Sequence, residues 1–126
     1  MVVDTSVLLA IFFDEPHAEW AAAQLASAAN LQMSTVNLAE TLIRLRDARP
    51  TVADELEARL LSSGIRFVPP DAEQARLAAA ARLRFPLNLG DCFAYALAVS
   101  EGASILTMDR DFRALDVEVI LPDRTG

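Results

Sequence analysis

Short runs of β-branched and other apolar residues alternate along the chain with longer segments rich in Ala and Leu. The short runs are typical of buried strands, and the longer segments of helices that pack on a sheet. The predicted strands are Met1–Asp4, Leu31–Thr35, Ile65–Pro69, Ser104–Met108 and Val117–Leu121. The predicted helices are Ser6–Phe13, Pro16–Ala29, Val36–Arg49, Val52–Ser63, Ala72–Arg84 and Gly90–Glu101. This order of elements predicts an α/β fold with a mostly parallel sheet.

The predicted strands differ in how deeply we expect them to be buried. Ser104–Met108 is an apolar run up to the carboxylate that follows it, and Ile65–Pro69 is stopped by two prolines. Both patterns are typical of central strands, whereas Val117–Leu121 alternates and suits an edge. No repeat or linker divides the sequence, so residues 1–126 are predicted to form one domain.

Composition narrows the chemistry that such a fold can carry. The 126 residues are 53% hydrophobic, and a formal net charge of −7 disfavours attraction to nucleic acid or anionic membrane over the whole surface. All 11 basic residues are Arg, so mechanisms that need a lysine amine are excluded. One cysteine and one histidine, Cys92 and His17, exclude a disulfide within the chain and metal sites built from several Cys or His.

The sequence also predicts the cellular compartment of the protein. No apolar run is long enough to span a membrane, and the first residues lack the basic region of a signal peptide. A single cysteine, expected to be a packed thiol, suits a reducing compartment. We therefore expect a cytoplasmic protein that makes no membrane contact.

Acidic residues fall where a parallel sheet builds its binding site, at the carboxyl ends of the strands. Asp4 ends the first predicted strand, and Glu40 lies early in the helix after the second. Asp109 follows the fourth strand, and Asp111 comes two residues later. Asp91 begins a helix, but two helices separate the third and fourth strands, so the order of elements leaves open which end of the sheet receives it.

Each carboxylate also has an ordinary structural explanation. Asp4 is placed to cap the helix that follows it, and Asp109 to cap a short turn. Glu40 lies four residues before an arginine, which is the spacing of an exposed ion pair. Asp91 lies three residues after Asn88, the spacing of a capping box. These alternatives stay open for every acidic residue taken singly.

Taken as a group, the carboxylates indicate a metal site. Clustered carboxylates repel one another and raise one another's pKa unless a cation lies among them. Hard oxygen ligands without thiolate or imidazole favour Mg²⁺ or Mn²⁺. These ions activate water and stabilise charge on phosphoryl groups, so the residue types favour phosphodiester or phosphoryl chemistry.

Four strings of the sequence resemble PIN-domain ribonucleases of the VapC type, the toxins of bacterial toxin–antitoxin pairs. The strings are VVDTSVLLA, STVNLAE, LNLGDCFAYALA and ILTMDRDF, and the resemblance covers essentially the whole chain. It implies a three-layer α/β/α domain with a five-stranded parallel sheet, dependence on Mg²⁺ or Mn²⁺, and endoribonuclease activity by a metal-activated water. It also implies that Asp91 lies beside Asp4.

The resemblance assigns site residues one by one. The family's catalytic and metal-binding quartet matches Asp4, Glu40, Asp91 and Asp109. Supporting positions match three hydroxyl groups and one accessory acid: Thr5, Ser6, Thr107 and Asp111. The three aspartates of the quartet are expected to hold the metal, and the glutamate to be a ligand or to orient the attacking water.

The resemblance further implies three partners: an RNA substrate, a cognate VapB-type antitoxin, and a second copy of the chain in a homodimer. Arginines near the expected site are candidates for holding RNA: Arg44, Arg46, Arg49, Arg82, Arg84 and Arg110. The apolar residues of Val7–Phe13 and Trp20 belong either to an antitoxin surface or to the core. The alternative function is a catalytically degenerate PIN-like interaction module, which would have lost a core carboxylate.

Overall fold

The structure is a computed structural model that describes residues 1–123. These residues form a five-stranded sheet flanked by helices. The strands are β1 (Val2–Val3), β2 (Gln32–Ser34), β3 (Arg66–Val68), β4 (Ile105–Leu106) and β5 (Val119–Ile120). Neighbouring strands are all parallel, in the order β3-β2-β1-β4-β5. The five predicted strands and their parallel pairing are confirmed, although each strand is shorter than predicted.

Helices connect the strands. They are α1 (Thr5–Phe12), α2 (Ala18–Ser27), α3 (Thr35–Ala48), α4 (Ala53–Leu61), α5 (Ala72–Arg84) and α6 (Leu89–Glu101). A short 3-10 helix, Arg110–Ala114, follows β4. Polar side chains accept hydrogen bonds from first-turn N–H groups at the starts of α1, α3, α5 and α6, as caps do. None of these helices, within residues 1–123, has the length and apolar character needed to cross a membrane.

Successive residues of a strand point to opposite faces of the sheet, and a separate apolar cluster covers each face. Val2 and Ile105 pack on one face with α5, α6 and Phe112. Val3 and Leu106 pack on the other face with residues of α1, α2 and α4. The sheet therefore lies between two helical layers, which confirms the predicted three-layer α/β/α architecture.

The position of β3 differs from the prediction. The segment Ile65–Pro69 was expected to be central, but β3 lies at one edge of the sheet and pairs with β2. Helices cover this edge strand on both sides, because Phe67 packs in one apolar cluster and Val68 in the other. Burial on both faces therefore explains why this edge strand carries the apolar pair Phe67 and Val68. β4 is central and β5 is at the other edge, as predicted.

The strand order reverses between β1 and β4. From β1 the chain proceeds outward to β2 and β3, and it then returns to place β4 on the free side of β1. Val2 pairs with Ile105 and Val3 with Leu106 across this junction. In open α/β sheets, the carboxyl ends of the two strands at such a reversal form the usual binding crevice. Asp4 follows β1 directly, and Thr107 follows β4.

Candidate active site

Four carboxylates line one cavity at this reversal. Asp4, Glu40, Asp91 and Asp109 all contribute to the wall of a cavity of about 360 Å³. They come from four places in the chain: the end of β1, helix α3, the start of α6 and the loop after β4. The fold therefore brings the four acidic residues singled out in the sequence to one place, with Asp91 on the same side of the sheet as Asp4.

Asp4 is buried and held by two hydroxyl groups. Its Oδ2 accepts hydrogen bonds from Ser6 Oγ at 2.6 Å and from Thr107 Oγ1 at 2.9 Å. Burial raises the pKa of the Asp4 carboxyl above its ordinary value of 3.8, and these hydrogen bonds oppose that rise. Asp4 also caps α1 through the Ser6 N–H, so its capping role and its place in the cavity coexist.

Thr107 joins Asp4 to the loop that carries Asp109. The fully buried Thr107 hydroxyl donates to Asp4 and accepts a hydrogen bond from the Asp109 N–H at 3.0 Å. Asp109 Oδ1 in turn accepts from the Asp111 N–H at 2.9 Å, which caps the 3-10 helix. The Asp111 side chain itself is exposed, so its contribution to this arrangement is its backbone N–H.

Glu40 is held by Thr5, which the family's strings mark, and by Asn37, which the sequence did not single out. Its Oε1 accepts hydrogen bonds from Asn37 Nδ2 at 2.9 Å and from Thr5 Oγ1 at 3.1 Å. Its carboxylate lies against Gly90, where an added Cβ would overlap it. The alternative ion pair with Arg44 is not formed among the described residues, and Arg44 lines the cavity instead. Two features of the sequence could have indicated these contacts. They are the three-residue spacing of Asn37 and Glu40, and a glycine inside the first turn of a helix.

Asp91 combines a capping box with a place in the cavity. Its N–H donates to Asn88 Oδ1 at 2.8 Å, and its Oδ2 accepts from the Asn88 N–H at 3.3 Å. Burial, followed by the negative charge of Asp4, raises the pKa of Asp91 from 3.8 to about 7, against the Asn88 hydrogen bond. Asp109 and Glu40 add smaller contributions to this rise. The four carboxylates therefore interact electrostatically across the cavity.

Within residues 1–123, each carboxylate of the quartet accepts hydrogen bonds through only one of its two oxygens. Hydrogen bonds within the chain reach Oδ2 of Asp4, Oε1 of Glu40, Oδ2 of Asp91 and Oδ1 of Asp109. The second oxygen of each receives no hydrogen bond from residues 1–123. Within the same residues, no three Asp, Glu, His or Cys side chains converge closely enough to chelate an ion. Four oriented carboxylates with one available oxygen each nevertheless suit Mg²⁺ or Mn²⁺, whose charge would relieve their mutual repulsion.

The arginines proposed to hold RNA divide into two groups. Arg44 lines the carboxylate cavity, and both Arg44 and Arg110 line an adjoining cavity of about 470 Å³. Ser6, Leu9 and Asp109 also line both cavities, so the two form one continuous depression. The other candidates form ion pairs, lie over aromatic rings or are exposed away from these cavities: Arg46, Arg49, Arg82 and Arg84.

Other residues noted in the sequence are mostly structural. Cys92 is fully buried, as expected of a packed thiol. The apolar residues from Val7 to Ala10 are buried in the core, and Trp20 packs against the same cluster. For these side chains, the core alternative is confirmed.

Comparisons with known proteins identify the family. The family model of the PIN domain matches residues 1–118. A ribonuclease VapC of Mycolicibacterium smegmatis is 39% identical over 129 residues, covering 95% of this chain and 99% of that protein. The crystal structure of Mycobacterium tuberculosis VapC20, a sarcin-ricin loop cleaving toxin, is similar with a TM-score of 0.82 at 23% identity, covering 96% and 98% of the two chains.

A second solved structure extends the comparison to toxin–antitoxin systems. VapBC-5 of Mycobacterium tuberculosis, a member of the VapBC family, matches with a TM-score of 0.66 at 26% identity. The match covers 96% of this chain and 97% of that one. Fold and sequence agree with the resemblance found in the four strings. The chain belongs to the PIN-domain family and, within it, to the VapC ribonucleases.

Proposed function

We propose that this protein is a Mg²⁺- or Mn²⁺-dependent endoribonuclease, the toxin of a toxin–antitoxin pair, acting in the cytoplasm. The observation that carries this proposal is the lining of one cavity by four carboxylates from four separate elements. Burying mutually repelling charges is unfavourable, and burial, followed by repulsion from Asp4, raises the pKa of Asp91 to about 7. A fold keeps such a cluster when a cation or a reaction requires it.

Each carboxylate of the quartet has a proposed role. Asp4, Asp91 and Asp109 are the proposed metal ligands, and Glu40 is a further ligand or orients the attacking water. A divalent cation held by these residues would supply activation of a water nucleophile and neutralisation of negative charge on the scissile phosphate. No side chain then needs to act as the nucleophile, in keeping with a chain that has one histidine and no lysine.

RNA is proposed to enter along the depression that joins the two cavities. Arg44 lies on the wall of both, so its guanidinium is placed to pair with a phosphate next to the scissile one. The cognate antitoxin is proposed to cover the same depression and to inhibit cleavage, and a homodimer is the proposed assembly. The match to VapBC-5, a toxin–antitoxin system at 26% identity, supports the antitoxin as partner.

The test is cleavage of total RNA by the purified protein freed of its partner, with Mg²⁺ or with EDTA. We expect cleavage with Mg²⁺, loss of cleavage with EDTA, and ends that carry 5′-phosphate and 3′-hydroxyl groups. Asp4→Asn and Asp91→Asn should each abolish cleavage while circular dichroism shows an unchanged fold. Asp47→Asn, an exposed carboxylate on α3, is the matched control and should cleave normally. Cleavage at the wild-type rate by either site variant would show that the metal site is wrongly assigned.

The alternative function is a catalytically degenerate PIN-like module that binds partners without cleaving RNA. The presence of all four carboxylates around one cavity favours the enzyme. Calorimetric titration with Mn²⁺ separates the two functions, because the enzyme should bind the ion and the module should show no binding at millimolar concentrations.

A further inference from the structure

Asn37 connects the two helices that bring Glu40 and Asp91 to the cavity. Asn37 lies in the first turn of α3 and is fully buried. Its Nδ2 donates hydrogen bonds to Glu40 Oε1 at 2.9 Å and to the Gly90 carbonyl oxygen of α6 at 3.0 Å. Both partners are acceptors, so the amide must present its nitrogen to them and its orientation is fixed. The side chain thus ties a carboxylate of one helix to the backbone of the other.

This arrangement is unfavourable for stability alone. Asn37 Oδ1 is buried without a hydrogen-bond partner among residues 1–123. Burying an unpaired acceptor costs free energy that an apolar side chain of similar size would avoid. Asn37 is therefore kept at a cost in stability. This cost indicates that its two Nδ2 hydrogen bonds have a role in the site.

Gly90 makes the approach of Glu40 possible. A Cβ at this position would overlap the Glu40 carboxyl group, and this contact involves the end of a flexible side chain rather than backbone. Glycine lowers the stability of a helix interior relative to alanine, yet it stands in the first turn of α6, next to Asp91. The missing side chain places the carboxylate of Glu40 directly against the helix that carries Asp91.

We propose that Asn37 is a positioning residue, which holds Glu40 against the Gly90 backbone so that Glu40 and Asp91 serve the same divalent cation. This inference rests on the proposed function, since it assigns a purpose to Glu40 within that metal site. Asn37 has no exposed surface and acts through Glu40, whose Oε1 accepts its hydrogen bond while Oε2 lies against Gly90.

The test measures Mn²⁺ affinity by calorimetry and the rate of RNA cleavage for matched variants. Asn37→Ala and Gly90→Ala should each lower both quantities by about 10- to 100-fold, the range found when residues that orient metal ligands are removed. Gly90→Ala should fold well because alanine favours the helix, so it tests the contact even if Asn37→Ala is unstable. Thr41→Val is the control, because Thr41 is equally buried on α3 and bonds to the Asn37 carbonyl oxygen without lining the cavity. Its affinity and rate should stay within about twofold of wild type.

A double-mutant comparison separates positioning from general destabilisation. In a Glu40→Gln background, Asn37→Ala should cause no further loss of Mn²⁺ affinity, because its effect passes through Glu40. If Asn37→Ala lowered Mn²⁺ affinity equally in both backgrounds, or if Gly90→Ala bound Mn²⁺ like wild type, the inference would be overturned. The proposed function would stand in either case, provided that the wild-type enzyme is active. Wild-type protein that neither binds Mn²⁺ nor cleaves RNA would instead overturn the proposed function, and the inference with it.

Discussion

At the scale of single residues, each member of the quartet combines a structural role with a proposed chemical one. Asp4 caps α1, Asp91 completes the capping box of α6 with Asn88, and Asp109 caps the 3-10 helix, each with one oxygen. Glu40 is fixed by donors from its own helix and from α1. A cap sets the direction of a carboxylate before any ligand arrives, so the site is oriented by the same hydrogen bonds that begin the helices.

The raised pKa of Asp91 predicts how the stability of the metal-free protein depends on pH. An unfolded aspartate titrates near 3.8 and folded Asp91 near 7, so the folded state binds more protons between these values. The stability that the protonated carboxyl contributes is fully present below 3.8 and is lost as the pH rises through about 7. Thermal denaturation in EDTA between about pH 5 and 8 should show this loss as a falling Tm.

Asp91→Asn provides the comparison for this titration, since it removes the ionisable group and keeps the side chain's size. Its Tm should fall less steeply over the same pH range than the Tm of wild type. Asp47→Asn, which changes an exposed carboxylate, should keep the wild-type slope. Equal slopes for wild type and Asp91→Asn would contradict the raised pKa.

The sequence specified the acidic residues of the site but not the contacts that hold them. Asp4, Glu40, Asp91 and Asp109 were identified because the family's strings mark them one by one. Capping and a place in the cavity looked like competing explanations, yet the structure combines them. Asn37 and Gly90 were missed because their roles depend on the distance between α3 and α6. That distance is a product of packing, and the spacing of residues along a single sequence does not report it.

At the scale of elements, the 3-10 helix anchors the loop that carries Asp109. Phe112 is fully buried in the apolar cluster between the sheet and helices α5 and α6. Phe112→Ala should lower the free energy of unfolding by about 3–5 kcal/mol, because it removes a large buried side chain and leaves a cavity. Urea denaturation measures this change. Leu83→Ala, at a side chain that is 90% exposed, is the control and should change stability by no more than about 0.5 kcal/mol.

Strands and helices were predictable to within a few residues, whereas their positions in the sheet were only partly so. Hydrophobic period and capping residues act locally, so they place each element along the chain. Strand order depends on contacts between segments far apart in sequence. β3 illustrates the difference: its apolar residues report that both faces are covered, and that condition holds at the centre and at this edge alike.

At the scale of the whole molecule, a net charge of −7 restricts how RNA is held. Arginines concentrated at the depression, rather than a basic surface, are expected to make the phosphate contacts. Arg44→Ala should therefore reduce the slope of log kcat/KM against log salt concentration by about 0.7, the effect of one lost contact to single-stranded RNA. Cleavage kinetics from low to moderate salt at fixed Mg²⁺ concentration measure that slope.

Arg59→Ala is the control for this experiment, because Arg59 forms an exposed ion pair with Glu55 on α4. Its salt dependence should equal that of wild type. If Arg44→Ala and Arg59→Ala behaved alike, Arg44 would not contact a phosphate, and the proposed path of RNA along the depression would be wrong.

The pairing of the first strand with the fourth also sets when the nuclease site is completed during synthesis. Asp4 and its hydrogen-bond donor Thr107 are 103 residues apart in the chain. At ~5–20 residues per second, a ribosome takes on the order of 5–20 s to add the residues between them. Until β4 has emerged, the cavity lacks Asp109, and β1 lacks its neighbour at the centre of the sheet. Under the proposed function, the nascent chain is therefore expected to stay inactive toward RNA until Asp109 joins the cavity.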